Sequence, residues 1–401
     1  MIHTGEYMKF DFDKVYDRKN TNSLKWDFAI ERHHSPDELP MWVADMDFPS
    51  PEPIKEALVK ASSVGFFGYT DPNDHDRRIV SEWYGRRHAY KPDPDSIVFT
   101  PGTVFGLTVA ILAFTNPDDA VMISEPVYYP FSEAVIDNGR KLVRNTLILG
   151  NDGRYSFDFG SFEKQIVEEN VKIYLLCSPH NPVGRVWTED ELRRIGEITL
   201  KHNVLVVADE IHADFVYEDN HFVSFPSLSD EIRNNTILCT APSKTFNTAG
   251  LQISPIMIFD SDKRRIYKKK LGAIGYSQVD YLALEAMKAA YTKCDEWVDA
   301  LVDYIYENIL YMEGFIKERL PELKMIHPQG TYLTWVDFSE LGLNSRDLER
   351  LIREDAKLWL DAGFIFGKSG DGFQRFNLAA PRKLIEDALE RLERAVIAIG
   401  K

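Results

Sequence analysis

The 401-residue sequence lacks the features that define several broad classes of protein. No apolar run approaches the ~20 residues of a membrane-spanning helix, and Met1–Glu6 shows no basic-then-apolar secretory pattern. The three cysteines form no CxxC pair, and two of them, Cys177 and Cys239, lie in apolar runs. We therefore expect a cytoplasmic protein with reduced core thiols, no membrane association and no metal site.

An excess of positive charge is also missing. Lys and Arg number 47 against 63 Asp and Glu, which gives a net charge of −16 and argues against a nucleic-acid partner. The basic run Lys263–Lys270 is a local exception, which we interpret as a solvated helical face, with an anion or partner patch as the alternative. The absence of GxGxxG and Walker lysine motifs disfavours dinucleotides and ATP.

The chain does contain a regular alternation of apolar strands and helical patterns from about residue 95. The predicted strands are Ser96–Thr100, Ala120–Ser124, Ile173–Ser178, Val204–Ala208, Thr236–Thr240 and Ser254–Ile258. Such alternation predicts an α/β fold with a mostly parallel, doubly wound sheet. Ligands of these sheets bind beyond the carboxyl ends of the strands, so the residues after each strand matter most.

The pattern changes beyond about residue 280. A helical pattern runs from Asp280 to about Leu320, the strand-like segments Thr331–Phe338 and Phe373–Leu378 follow, and Leu384–Ile399 is an amphipathic helix. A chain of this length favours two domains. We predict a large domain over 51–280 and a smaller α+β domain formed by 1–50 together with 281–401.

Lys244 is the candidate catalytic residue, and Asp209 is a candidate cofactor-binding residue beside it. Lys244 follows the apolar run Thr236–Pro242, and Asp209 ends the run Val204–Ala208. Neighbouring strand ends can bring them into one pocket, where an amine can form a Schiff base with pyridoxal 5′-phosphate (PLP) and a carboxylate can pair with its ring nitrogen. Such a lysine must be neutral when it attacks, so burial must lower its pKa. A surface lysine and a helix-capping acid are the alternatives when each residue is taken alone.

Other strand ends carry groups that suit the same cofactor. Gly102, Thr103 and Val104 open a helix whose first amides can hold a phosphate. Tyr128 can stack on a planar ring, and Asn181 can donate a hydrogen bond to a phenolic oxygen. The alternatives are an ordinary strand–turn–helix at Gly102–Val104, core packing for Tyr128 and a simple turn at Asn181. Their recurrence at successive strand ends favours one shared site.

Arg375 lies within the apolar strand Phe373–Leu378. A buried arginine requires an anion, and a carboxylate bound by two parallel hydrogen bonds fits the guanidinium geometry. That anion is either a substrate carboxylate or the partner in a structural salt bridge.

Together these residues resemble the fold-type I PLP-dependent enzymes, the aspartate aminotransferase superfamily. Ser243-Lys244, Asn181–Gly184, Asp209-Glu210 and Arg375–Asn377 carry the resemblance, which extends from about residue 25 to the end of the chain. It implies that Lys244 binds PLP covalently, that Asp209 pairs with the ring nitrogen, that Asn181 donates to the phenolic oxygen and that Tyr128 stacks on the ring. The phosphate would be held by Gly102, Thr103, Val104 and Ser243, and the substrate by Ala44, Asn181 and Arg375. Tyr69 would complete the neighbouring site of a homodimer.

Three segments resemble one branch of this superfamily, the MalY/PatB-like cystathionine β-lyases or C–S lyases. They are Met41–Pro49, Ala208–His212 and Ala249–Gln252. Typical aminotransferases carry tyrosine at the position of His212 and arginine at that of Gln252. The resemblance places His212 beside the cofactor, and we expect it to change protonation near neutral pH.

The function implied is a PLP-dependent β-elimination on an amino-acid substrate. Cystathionine, cysteine or a related cysteine S-conjugate would yield a thiol, pyruvate and ammonia. A class I/II aminotransferase is the nearest alternative, since physical reasoning on the residues does not separate the two reactions. A regulatory protein that has kept the fold is a further alternative.

Overall fold

The computed structural model describes residues 10–400, and its largest element is a seven-stranded sheet. The strands lie in the spatial order Ile97–Thr100, Ser254–Ile258, Thr236–Cys239, Leu205–Asp209, Val171–Cys177, Ala120–Glu125 and Lys141–Thr146. Ser254–Ile258 is antiparallel to both of its neighbours, and every other pairing is parallel. The predicted mostly parallel α/β sheet is confirmed.

Hydrophobic clusters cover both faces of this sheet. Along Leu205–Asp209, for example, Leu205 and Val207 belong to one cluster, whereas Val206 and Ala208 belong to the other. Burial on both faces explains why the strands are continuous apolar runs in the sequence. The helices Thr103–Phe114, Pro130–Ile136 and Ser261–Ala273 cover one face, and Asp74–His88, Phe159–Glu168, Glu189–Lys201 and Tyr281–Lys293 contribute to the cluster on the other.

A second, antiparallel sheet lies in the C-terminal part of the chain. Its strands are ordered Lys324–Ile326, Leu333–Asp337, Phe373–Asn377 and Asp361–Ala362. The helices of this region are Asp295–Arg319, Ser345–Arg350, Leu351–Asp355 (a π-helix) and Arg382–Ala398. These elements match the predicted α+β composition of the smaller region.

The N-terminal segment is joined to this C-terminal region. Strand Leu39–Pro40 pairs in parallel with Leu358–Trp359, and the backbone N–H of Asn377 donates to Met41 O at 2.9 Å. The contacts agree with a domain assembled from both ends of the chain. The boundaries at residues 50 and 280 stay a prediction.

The structure departs from the expected elements in two places. The predicted helix over Asp280–Leu320 is two helices, Tyr281–Lys293 and Asp295–Arg319, because Cys294 has non-helical backbone angles (φ −119°, ψ 17°) and the acidic residue Asp295 opens a new first turn. Strand Lys141–Thr146 was not predicted because it is an edge strand in which exposed polar residues alternate with buried ones.

The remaining α-helices and strands connect these layers. They are the helices Glu52–Ser63, Asp230–Asn234 and Pro242–Thr245 and the short strands Ile148–Leu149 and Tyr155–Ser156. None of the helices within residues 10–400 combines the length and apolarity that crossing a bilayer requires.

Candidate active site

A cavity of about 500 Å³ opens at the carboxyl ends of the parallel strands. Residues predicted from the sequence make up most of its lining: Ala44, Gly102, Thr103, Val104, Tyr128, Asn181, Asp209, His212, Ser243 and Lys244. The fold therefore brings together side chains from five strand ends and the N-terminal segment.

Lys244 lies in the short helix Pro242–Thr245, which follows strand Thr236–Cys239. Its Nζ atom donates a hydrogen bond to the carbonyl oxygen of Ala44 at 2.9 Å. Burial lowers the pKa of this amine to about 8; the charge of Arg375 acts in the same direction, and the carboxylates of Asp45 and Asp209 oppose it. The lysine therefore has the lowered pKa that a nucleophilic amine needs near neutral pH.

Asp209 is the last residue of its strand and is 4% exposed. Its Oδ1 atom accepts a hydrogen bond from the Ile211 N–H at 3.1 Å. Burial raises the pKa of the carboxyl to about 7, whereas that hydrogen bond and the charge of Lys244 lower it. A cation brought to this carboxylate within the cavity would favour its ionised form.

Glu210, the adjacent acid, has a different environment. Its carboxylate accepts hydrogen bonds from Tyr84 Oη at 2.9 Å, Ser224 Oγ at 2.8 Å and the Phe225 N–H at 2.7 Å. It does not line the cavity. Asp209 is thus the acid of the pair that faces the candidate site.

The helix Thr103–Phe114 begins at the cavity. Gly102 precedes it, and no side chain caps its first turn within the described residues, so the N–H groups of Thr103 and Val104 can donate to an outside anion. A Cβ atom built at Gly102 would meet nothing within 4 Å, which shows open space beside this helix start. Ser243 lines the same cavity. This set suits a phosphate group.

Asn181 is held by its neighbours in a defined orientation. Its backbone oxygen accepts from the Tyr128 N–H at 3.0 Å, and its Oδ1 atom accepts from Arg375 Nη1 at 3.0 Å. The second contact leaves Nδ2, the donor end of the amide, for a ligand in the cavity. Tyr128 also lines the cavity, and burial raises the pKa of its phenol, so the ring is neutral.

Arg375 lies behind the cavity lining and is 2% exposed. Its guanidinium forms an ion pair with Asp361 and donates to Trp42 O at 2.8 Å. Nε has no hydrogen-bond partner among residues 10–400. The salt bridge that was the alternative interpretation is therefore present, and the role in binding a substrate carboxylate stays a prediction.

His212 does not behave as expected. It is 3% exposed, and its ring lies edge-on to Tyr332 with 5.8 Å between ring centres. Burial lowers its pKa to about 3, and the charges of Lys244 and Arg375 act in the same direction. The expectation that it titrates near neutral pH is wrong, because the sequence does not show how completely the ring is enclosed. Nδ1 has no hydrogen-bond partner in the described part of the chain.

Tyr69 does not line the cavity of its own chain. Its side chain is 96% exposed, and the nearby Phe66 and Phe67 are 80% and 64% exposed. Its assignment to a neighbouring subunit's site stays a prediction.

Two polar residues next to the site were not found from the sequence. Tyr332 is fully buried and donates from Oη to Ala44 O at 3.1 Å; its position at the start of an apolar strand made it look like a core residue. Asp361, the partner of Arg375, ends the apolar run Leu358–Leu360. That is the signal that identified Asp209, so it was available in the sequence.

The side chains present fit PLP. An amine with a lowered pKa and a buried carboxylate line one cavity. An uncapped helix start with free space beside it supplies phosphate ligands. The buried, unpartnered Nδ1 of His212 is a further polar atom that a bound group can satisfy.

Comparisons with known proteins agree with this site. Residues 38–392 match the family described as aminotransferase class I and II. The chain is 42% identical over 386 residues to cystathionine beta-lyase PatB of Bacillus subtilis, covering 96% of this chain and 100% of PatB. It is 33% identical to protein MalY of Escherichia coli, covering 97% and 100%. The structure of cystalysin from Treponema denticola, which contains PLP, has a TM-score of 0.94 at 37% identity, covering 98% of this chain and 100% of cystalysin. The chain therefore belongs to the class I and II aminotransferase family of fold-type I PLP-dependent enzymes, in the branch that contains PatB and MalY.

Proposed function

We propose that the protein is a PLP-dependent carbon–sulfur β-lyase that acts on cystathionine, cysteine or related cysteine S-conjugates. The observation that carries the proposal is the placement of Lys244 and Asp209 in one cavity, each with a pKa that burial has moved towards neutrality. The 42% identity to a cystathionine beta-lyase over nearly the whole chain supports the choice of reaction.

PLP, when bound, withdraws electrons from the substrate Cα so that a thiolate can leave from Cβ. Lys244 would hold the cofactor covalently, and its amine, once free, would take the Cα proton at Nζ. Asp209 keeps a proton on the ring nitrogen. Since the pKa of the free amine is about 8, an appreciable fraction is neutral near pH 7 and able to accept a proton.

Other residues bind and orient. The amides of Thr103 and Val104 and the hydroxyl of Ser243 hold the phosphate. Asn181 would donate from Nδ2 to the phenolic oxygen, and Tyr128 would stack on the ring. Gly102 leaves room beside the phosphate, and Ala44 and Arg375 bind the substrate. His212 contacts the cofactor as a neutral ring.

Sulfur makes the elimination favourable because a thiolate is a competent leaving group. The substrate loses its Cα proton and its thiolate, and the remaining three-carbon fragment takes up water and releases ammonia to give pyruvate. Each turnover thus produces one thiol, one pyruvate and one ammonia.

The proposal includes a homodimer in which Tyr69 reaches the neighbouring site. The exposed aromatic side chains of Phe66, Phe67 and Tyr69 support it, because a group of this kind usually marks an interaction surface. We also propose a cytoplasmic location, supported by three buried cysteines that form no disulfide.

An aminotransferase is the second candidate, favoured by the family match over residues 38–392. The deciding experiment supplies purified protein and PLP with cystathionine in the absence of any keto acid and measures pyruvate and homocysteine. A lyase releases both over many turnovers, whereas an aminotransferase converts at most one equivalent of cystathionine per bound PLP to its keto acid and turns over no further until an acceptor keto acid is added. Lys244→Ala should abolish turnover, and Lys268→Ala, at an exposed lysine, should leave it unchanged.

A further inference from the structure

Two asparagines, one fully buried and one half-buried, hold the backbone around Ala44. The first, Asn377, is fully buried and lies two residues beyond Arg375 on the same strand. Its Nδ2 atom donates to Val43 O at 2.8 Å and to Asp45 O at 2.9 Å. The carbonyl groups immediately before and after Ala44 are therefore both occupied.

The second, Asn247, lies three residues after Lys244. Its Oδ1 atom accepts from the Met46 N–H at 3.1 Å, and its Nδ2 atom donates to Met46 O at 3.0 Å and to Phe48 O at 2.8 Å. The segment that contains Ala44 is thus fixed from the Lys244 side as well as from the Arg375 side.

These contacts leave the Ala44 carbonyl free to face the site. It accepts from Lys244 Nζ at 2.9 Å and from Tyr332 Oη at 3.1 Å. A hydrogen bond weakens as its angle departs from the preferred direction, so the orientation of the accepting carbonyl matters. The two asparagines hold the peptide groups next to that of Ala44.

We infer that Asn377 and Asn247 are positioning residues, which fix the Ala44 carbonyl as the acceptor for the amine of Lys244 while the substrate amine occupies the cofactor. The inference rests on the proposed function, because it assigns these residues a part in the same reaction. Asn377 lies on the same strand as Arg375. One strand therefore positions both the guanidinium proposed to bind the substrate carboxylate and the carbonyl that accepts from Lys244.

A purely structural role would have different consequences, and Asn308 provides the matched control. Asn308 is also fully buried, and its Nδ2 atom donates to two backbone oxygens, Leu378 O at 3.1 Å and Ala380 O at 3.0 Å. It secures the chain just after Asn377 but does not contact the segment of Ala44. Asn377→Ala and Asn308→Ala should therefore lower the thermal midpoint by similar amounts.

The first measurement separates kcat from KM in the PLP-loaded enzyme with cystathionine. Misplacing a catalytic group by about 1 Å can cost ~10²-fold in rate. We expect Asn377→Ala to lower kcat by about tenfold or more with KM changed less than about twofold, and Asn308→Ala to retain kcat within about twofold.

The second measurement follows the amine of Lys244 directly in the cofactor-free protein. Brief acetylation over a range of pH, with mass spectrometry of the Lys244 peptide, gives the pKa of this amine. A hydrogen bond from the charged amine of Lys244 to the Ala44 carbonyl favours the charged form of the amine. Loss of this hydrogen bond should therefore lower the pKa of the amine and shift the acetylation profile to lower pH. Arg375, Asp45 and Asp209 are the other charged groups that act on Lys244.

Asn377→Ala and Asn247→Gly should both show this shift, and Asn308→Ala should show none. Glycine is used at 247 because that residue has φ +56°, which glycine adopts without strain. Equal kcat values and equal acetylation profiles for Asn377→Ala and Asn308→Ala would overturn the inference. Failure of the wild-type protein to release pyruvate would instead refute the lyase assignment, and the acetylation profiles would still test the positioning of Lys244.

Discussion

Arg375 and Asp361 form an ion pair between neighbouring strands, with side chains only 2% and 7% exposed. The two residues are register partners, so the carboxylate faces the guanidinium directly across the sheet. The same guanidinium donates to Asn181, which lines the candidate site. Asp361 therefore fixes an arginine that in turn fixes a ligand-facing amide.

Removing Asp361 should be costly for stability. Asp361→Ala leaves a buried guanidinium without its counter-charge, and we expect the free energy of unfolding to fall by ~3–5 kcal/mol. Glu197→Ala removes one partner of the exposed pair Arg194–Glu197, whose side chains are 52% and 64% exposed, and should cost less than ~1 kcal/mol. Denaturant unfolding of both variants tests the difference. Equal losses would show that the Arg375–Asp361 pair contributes no more than a surface pair.

Asp209 and Glu210 should respond differently to loss of charge. Asp209→Asn cannot keep a proton on the cofactor ring, and we expect kcat to fall by ~10²–10³, equivalent to ~3–4 kcal/mol. Glu210→Gln alters an acid that does not line the cavity, so it should lower stability but leave kcat nearly unchanged. Steady-state kinetics and thermal unfolding on the same preparations separate the two effects. A similar fall in kcat for both would contradict the assignment of Asp209 as the ring partner.

Ionisation of Asp209 should also appear in the stability of the cofactor-free protein. Its folded-state pKa of about 7 lies above the ordinary value of 3.8, so the folded state binds more protons between these values and loses stability as pH rises through this range. Glu210, also raised to about 7, contributes in the same direction. His212 and His180, whose pKa values burial lowers to about 3 and about 4, contribute in the opposite direction over part of this range. Asp209→Asn removes one declining contribution, so the slope of the unfolding free energy against pH should become more positive between about pH 4 and pH 7. An unchanged slope would show that Asp209 is not a titrating group in this range.

His212 should not contribute to the pH dependence of turnover. With a pKa near 3 it stays neutral from pH 5 to pH 8. His212→Gln can change the rate, but the shape of the kcat/KM profile over this range should be unaltered. Loss of a limb with its midpoint between pH 5 and pH 8 in this variant would show that the histidine titrates after all.

Gly102 should matter for cofactor affinity rather than for folding. Its backbone is extended (φ −175°) and an added Cβ meets no atom within 4 Å, so Gly102→Ala should fold with nearly unchanged stability. The methyl group would fill the space proposed for the phosphate, and overpacking of ~1–3 kcal/mol predicts PLP affinity weakened about 10- to 100-fold.

Gly314→Ala is the matched control. This position also has open space around it, but it lies within the helix Asp295–Arg319, away from the cavity. The variant should raise helix stability by ~0.5–1 kcal/mol and leave PLP affinity unchanged. PLP titration monitored by absorbance, with unfolding curves of the cofactor-free proteins, distinguishes the two sites. Unchanged affinity in Gly102→Ala would exclude that space as the phosphate site.

The elements that were predicted from the sequence share one property: their burial is recorded in the sequence as a continuous run of apolar residues. Ser254–Ile258 is buried on both faces and its bounds were predicted correctly. Lys141–Thr146 was missed because its edge position leaves half of its residues exposed and most of its side chains polar. The break at Cys294 was missed because a single residue that leaves helical geometry does not alter the apolar periodicity.

Site residues, like the strands, were predicted where a local sequence pattern marks them and missed where contacts distant in sequence determine them. Asp209, Asn181 and Lys244 could be found because each closely follows an apolar strand. Asp361 also ends an apolar run and could have been singled out, but its pairing with Arg375 could not, because the two residues meet only through the register of adjacent strands. The pKa of His212 depends on enclosure by segments distant in sequence, which no local pattern records.

The pairing of Leu39–Pro40 with Leu358–Trp359 has a consequence for how the enzyme matures. Asn377 holds the segment of Ala44, so the acceptor of Lys244 cannot be in place until residue 377 has left the ribosome. Contacts separated by so much sequence form late and slowly. The ability to take up PLP should therefore be among the last properties that a newly made chain acquires, and cofactor absorbance can report that folding is complete.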